Sequence, residues 1–132
     1  MSRLLFDTTF LIDAERSDDD LDDAIDDNDD VAIAAVTVAE LRVGALLATR
    51  KHRAARTAYV EDVISTIPIL GYDVDVAEAH AELLVAVREQ GKPRGAHDLI
   101  IAATAKASDR YIVSADPTAF RNLPGVEASN HR

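Results

Sequence analysis

The sequence predicts a single α/β domain spanning residues 1–132, with a mostly parallel central sheet and helices on both faces. Three observations predict it. The apolar runs Leu4-Leu5-Phe6, Val31-Ala32-Ile33-Ala34-Ala35 and Tyr111-Ile112-Val113 have the length and composition of buried strands. The segments between them carry apolar residues at helical spacing. A length of 132 residues suits one domain and shows no repeat or linker at which to divide it.

Residues 3–6 read as the first strand. A helix starts at Thr8 or Thr9 and carries Phe10, Leu11 and Ile12. Ser17 or Asp18 caps a second helix, on which Leu21 and Ile25 form a thin apolar stripe. Residues 31–35 are the second strand. Thr37 is expected to cap the following helix, with Glu40 three residues on completing a capping box. A further helix covers about 54–65. Ile67-Pro68-Ile69-Leu70 is a short strand, and its proline favours a sheet edge or a strand start. Asp73 or Asp75 caps a long helix that Gln90-Gly91 and Pro93 terminate. After a polar loop over 92–96, Asp98 begins a helix lasting to about Ser108. The strand at 111–113 leads to a turn opened by Asp116-Pro117, and 126–128 is a weak last strand.

Composition narrows the chemistry. The chain has no cysteine, which excludes disulfides, thiolate catalysis and cysteine-bound zinc. No apolar run approaches the roughly 18 residues of a membrane span, and the N-terminus lacks a signal-peptide core. These features suit a cytoplasmic protein with no membrane partner. The net charge of −10 is unevenly spread. Nine aspartates between positions 18 and 30 account for most of it, while Arg50, Lys51, Arg53 and Arg56 form a compact basic segment. Overall acidity therefore says little about the functional face. A solvated helix surface explains both runs equally well.

The residues that carry chemistry are Asp7, Glu40, Asp98 and Asp116. Ligands of parallel sheets bind beyond the carboxyl ends of the strands. Asp7 follows the first strand, Asp116 follows the strand at 111–113, and Asp98 opens a helix running from the same edge. Glu40 lies in an otherwise apolar helical segment. Acids gathered at one point repel one another unless a cation neutralises them. Hard cations such as Mg²⁺, with Mn²⁺ as a substitute, prefer carboxylate and water oxygens. Each acid also has a local reading: Asp7 and Asp98 as helix caps, Glu40 as part of a capping box, and Asp116 as a turn opener. The metal reading takes all four together.

The segments Leu5-Phe6-Asp7-Thr8-Thr9-Phe10-Leu11-Ile12, Thr37-Val38-Ala39-Glu40-Leu41-Arg42-Val43-Gly44, His97-Asp98-Leu99-Ile100-Ile101-Ala102-Ala103-Thr104-Ala105 and Ser114-Ala115-Asp116 resemble, in order and spacing, those of PIN-domain ribonucleases, most specifically VapC-type toxins. The resemblance covers about residues 4–128. It implies a toxin that hydrolyses RNA phosphodiester bonds by metal-activated water, leaving a 5′-phosphate and a 3′-hydroxyl. It assigns Asp7, Glu40, Asp98 and Asp116 to the metal, Thr9 to a hydroxyl position beside it, and Ser114 to support of the loop bearing Asp116. It also implies a homodimer and a VapB-type antitoxin that lays an apolar helix in a groove. Ala119 departs from the family, which often has an acid directly before the phenylalanine here at Phe120. That substitution keeps open a degenerate domain that binds metal, RNA or protein without cleaving. An aspartyl-phosphate phosphatase with Asp7 as nucleophile is the other alternative, although Thr9 stands where such enzymes place a second aspartate.

Overall fold

A computed structural model of the chain describes residues 2–17, 23 and 25–130. Five strands, β1 (Arg3–Phe6), β2 (Asp30–Ala34), β3 (Ile69–Leu70), β4 (Tyr111–Val113) and β5 (Ala128–Ser129), form one sheet in the order β3-β2-β1-β4-β5. Every neighbouring pair is parallel. The helices are α1 (Thr8–Arg16), α2 (Ala35–Leu47), α3 (Arg50–Thr66), α4 (Val74–Gln90) and α5 (Ala96–Ala107), with a 3-10 turn at Pro117–Phe120. Among the described residues, no helix is long and apolar enough to cross a membrane.

Alternation along each strand divides the core into two layers. Leu4 and Phe6 of β1, with Val31 and Ile33 of β2, face Leu11 of α1, Leu41 and Ala45 of α2, and Val60 and Val63 of α3. Leu5, Ala32, Ala34 and Ile112 face the opposite way, onto Val76, Ala79 and Leu83 of α4 and Leu99, Ile101, Ala102, Ala103 and Ala105 of α5. Fully apolar strands are what burial on both faces requires. The alanines of β2 and α5 let that helix lie close to the sheet.

Arg110 fastens the amino-terminal end of the sheet. Its guanidinium is nearly buried and donates to the carbonyls of Leu4 and Asp30 and to the Asp30 carboxylate. The other end is left to the loops that carry the candidate acids. In the order β3-β2-β1-β4-β5 the chain leaves β1 in one direction and later returns on its other side. The crevice between the carboxyl ends of β1 and β4 is thus a topological switch point, where such sheets bind ligands.

Several local expectations shift. Helix α2 begins at Ala35, with the extended Ala34 as its N-cap, so Thr37 lies inside the first turn and does not cap it. The Thr37–Glu40 capping box is absent for the same reason. Helix α5 begins at Ala96, two residues before Asp98, and Gly95 is its N-cap. Helix α3 starts at Arg50, taking the basic segment into its first turns. Asp73 caps α4 through its carboxylate and the Val76 N–H, and Gly91 closes that helix at φ 68°, a left-handed turn that favours glycine. Strand β3 is at the sheet edge, as expected, and is shortened to Ile69–Leu70, with Pro68 just before it. The last strand is Ala128–Ser129, later than expected. The helix expected from Ser17 or Asp18 lies largely outside the described residues.

On the α1–α3 side, the half-buried Tyr59 hydroxyl donates to the Leu11 carbonyl at 2.6 Å. Burial, then the charges of Glu15 and Asp62, push its pKa up to about 12. Tyr59→Phe is expected to lose about 1 kcal/mol in urea unfolding. Stability should fall as pH rises from the ordinary tyrosine value through about 12, because the unfolded chain releases this proton first. Ultraviolet titration of the folded wild type should show one late phenolate that the variant lacks.

Candidate metal centre

The parallel register brings the ends of β1 and β4 level, with Phe6 opposite Val113, so the next residues, Asp7 and Ser114, are neighbours. Asp7 is extended (φ −86°, ψ 172°) and caps α1, its Oδ1 accepting from the Phe10 N–H at 2.9 Å. It is only 3 % exposed. Its carboxylate also accepts from Thr9 Oγ1, at 2.8 and 3.0 Å from its two oxygens, and from Ser114 Oγ at 2.6 Å. The capping role and a site role are therefore compatible in this residue.

The two hydroxyls do more than solvate the acid. Thr9 Oγ1 accepts the Ala115 N–H at 3.1 Å, and Ser114 Oγ accepts the Asp116 N–H at 3.0 Å. Each accepts a hydrogen bond from a backbone N–H of the β4 exit loop and donates one from its hydroxyl to Asp7. The loop holding Asp116 is thereby registered against Asp7 through two side chains. Asp116 itself is exposed, and its carboxylate accepts from Thr118 Oγ1.

Glu40 approaches from α2. Its Oε1 accepts from Thr8 Oγ1 at 2.6 Å, and Thr8 Oγ1 lies 3.2 Å from the fully buried Thr37 Oγ1. Thr8 is thus a supporting residue that sequence reasoning treated only as a helix start. Its signal was a hydroxyl beside Asp7 on an otherwise apolar face. His97 Nδ1 stands 3.5 Å from the other Glu40 oxygen, with the ring largely exposed at the rim.

Asp98 is half-buried on the first turn of α5. Among the described residues, no donor hydrogen-bonds its carboxylate. A Cβ on Gly95 would come within 2.9 Å of Asp98 Oδ2, so a side chain there would displace the acid. Gly95 has an ordinary negative φ, so the effect of a side chain here would be to move the Asp98 carboxylate, not to strain the backbone.

The electrostatics tie the four acids together. Burial raises the Asp98 pKa most, followed by the charges of Glu40, Asp7 and Asp116, while His97 lowers it. Burial also raises that of Asp7 against the pull of Ser114, Phe10 and Thr9, with a further upward push from Glu40. These are the effects of desolvation and like charge with no cation in reach.

The donors are all oxygen, which suits a hard cation. Among the described residues, however, no three His, Asp or Glu side chains close around one point in a ready-made metal-binding group. The arrangement is an open acidic pocket. Such a pocket suits Mg²⁺, which keeps several waters and takes one or two carboxylates directly. Ala119 adds no acid: it packs against the core from the 3-10 turn, and its carbonyl accepts from Arg94 at 2.9 Å. Arg94 also donates to the Arg121 carbonyl, so this loop cation straps the turn to the α4–α5 loop. Arg42 pairs with Glu61 of α3, away from the acids.

The family model described as PIN domain matches residues 4–126. Ribonuclease VapC5 of Mycobacterium tuberculosis is 38 % identical over 125 residues, covering 92 % of this chain and 88 % of the relative. The tRNA(fMet)-specific endonuclease VapC of Shigella flexneri is 28 % identical over 100 residues, covering 76 % and 74 %. The crystal structure of VapBC-5 from Mycobacterium tuberculosis, a member of the VapBC family of toxin–antitoxin systems, superposes with a TM-score of 0.77. It is 33 % identical, with 97 % of this chain and 98 % of that chain covered. The chain belongs to the PIN-domain family, within its VapC group.

Proposed function

We propose that this protein is a divalent-metal-dependent endoribonuclease of the toxin class. The observation that carries this reading is the gathering of Asp7, Glu40, Asp98 and Asp116 at the carboxyl edge of the sheet, near enough that the charges of Glu40, Asp7 and Asp116 each act on Asp98, whose carboxylate has no protein hydrogen-bond donor among the described residues. Asp7, Glu40, Asp98 and Asp116 would hold Mg²⁺, or Mn²⁺ in its place. When bound, the ion supplies charge neutralisation, activation of water and stabilisation of the leaving oxygen. Asp7 is the fixed anchor, held by Thr9, Ser114 and the Phe10 N–H. Glu40 is oriented by Thr8, and Asp116 is carried on the loop that Thr9 and Ser114 tie down. Water adds to phosphorus in line, the bond to O3′ breaks, and the products are a 5′-phosphate and a 3′-hydroxyl. The kinship to a named VapC ribonuclease supports the same reading.

A VapB-type antitoxin suits the surface beside the acids. Leu46 and Leu47 are 70 % and 80 % exposed at the end of α2. Val43, 53 % exposed, extends this apolar surface one turn towards Glu40 on the same helix. An apolar helix of the partner would lie along it and offer a basic side chain to the pocket. Homodimerisation would use the exposed Ile69, Tyr72, Val74 and Val85 on another side of the domain.

Purified protein is expected to cut total RNA with Mg²⁺ or Mn²⁺, with ends mapping to 5′-phosphates. Asp98→Asn should lower the rate at least about 100-fold with the fold intact by circular dichroism. Undiminished cutting by this variant would overturn the site. Metal-dependent stabilisation of the wild type without scission would identify a degenerate binding domain.

A second expectation follows from linkage. Asp7 and Asp98 hold their protons more tightly folded than unfolded, so the metal-free protein should lose stability as pH rises from the ordinary aspartate range through their raised values. Asp98→Asn should remove part of that loss and melt higher than the wild type at neutral pH without metal. Mg²⁺ at a hundredfold excess over its Kd should stabilise the wild type by about 2.7 kcal/mol. Calorimetry should find much less for Asp98→Asn.

A further inference from the structure

We infer that the cleft between the α4–α5 loop and the 3-10 turn is a phosphate track that guides single-stranded RNA to the acidic pocket. The cleft measures about 560 Å³ and is lined by Gln90, Lys92, Arg94, Thr118, Arg121 and Asn122. Three cations and no acid line it, in a chain whose net charge is −10.

Both walls lead to the candidate acids. Lys92 and Arg94 precede Asp98 by a few residues, and Thr118 on the opposite wall donates to the Asp116 carboxylate. Through Thr118, which lines the cleft and holds Asp116, the cleft adjoins the acidic pocket. The walls are also tied together. Arg94 donates to the Ala119 and Arg121 carbonyls, and Gln90 Nε2 donates to the Asn122 carbonyl at 2.7 Å. The left-handed turn at Gly91 ends α4 and begins the loop that carries Lys92.

The charges are available for phosphate. Among the described residues, the ion pairs engage Arg3, Arg42, His97, Lys106 and Arg110, and neither Lys92 nor Arg121. Both side chains are exposed. A row of cations feeding an acidic centre resolves a conflict in the nuclease reading. The pocket that must hold the scissile phosphate repels polyanions when metal-free, whereas an adjoining basic cleft retains the strand by releasing its counterions. The basic start of α3 is the competing surface: there Arg53 is turned onto the Ala48 carbonyl and Arg56 shares its cleft with Glu15 and Glu40, which leaves the exposed Arg50 and Lys51 as the pair to compare with Lys92 and Arg121.

This inference rests on the nuclease reading for its choice of RNA, and its test reads binding separately from cleavage. In an Asp98→Asn background, anisotropy of a short, labelled single-stranded RNA of mixed sequence is followed over a KCl series. Lys92→Ala with Arg121→Ala should lower the slope of log Kd against log salt by about 1.4, roughly 0.7 for each phosphate of a single strand that is no longer neutralised. Lys92→Arg with Arg121→Lys should keep the parent slope. Arg50→Ala with Lys51→Ala, which removes the same charge from α3, should lower it by less than half as much. An unchanged slope in the first pair, a fall of half or more of that size in the α3 pair, or a fall in the charge-conserving pair would overturn the track. Wild-type and Asp98→Asn cleavage rates test the nuclease reading independently. If they failed to differ, the slopes would still stand; equal slopes beside a sound rate difference would overturn the cleft alone.

Discussion

A buried carboxylate at the switch point of the sheet is the constraint around which the rest is arranged. Asp7 is nearly inaccessible, and its charge would be costly there without hydrogen bonds. Three donors meet that need: the Phe10 N–H and the hydroxyls of Thr9 and Ser114. Each hydroxyl has a second function as acceptor for the β4 exit loop. Satisfying one acid thus fixes the start of α1, the end of β4 and the position of Asp116 together. The register that makes this possible comes from the core, where Leu4 and Phe6 face one layer and Leu5 the other. A slip of one residue between β1 and β4 would reverse those faces and part Asp7 from Ser114.

The remaining acids are held with decreasing rigidity. Glu40 has Thr8 on one oxygen and His97 near the other. Among the described residues, Asp116 has one side-chain partner, Thr118. Asp98 is positioned by helix α5 and by the space that Gly95 leaves, with the other acids opposing its charge. A carboxylate with no protein donor, set among like charges, has most to gain from an incoming cation. The pocket's openness and its electrostatic strain have the same origin.

Much of the fold was legible because burial on both faces leaves uninterrupted apolar runs, and β1, β2 and β4 are such runs. The alternation of strand and helix then restricts the topology strongly. The candidate acids stood out because charged residues sat beside strand ends and in apolar helices, where they needed a reason. What local patterning could not carry was partner choice across the chain. Thr37 followed by Glu40 satisfies the spacing of a capping box, yet Ala34 stays extended at the end of β2 and α2 starts before the threonine can act as cap. Thr37 is left buried against Thr8, a contact across 29 positions. Arg94 shows the same limit. Its guanidinium is engaged by the carbonyls of Ala119 and Arg121, partners 25 and 27 positions away that no local pattern announces. Gly95 was legible only as part of the 92–96 loop; its closeness to Asp98 Oδ2 was not.

The two outer strands are each only two residues long. Such edges offer a very short ladder of free backbone groups to an incoming chain, one way natural sheets avoid pairing edge to edge. Recruitment of another polypeptide as an added strand is thereby disfavoured, and association with this domain falls to the side chains of its helices. Selectivity among companions would then reside in surface residues that can change readily, while the sheet and its carboxylates stay as they are.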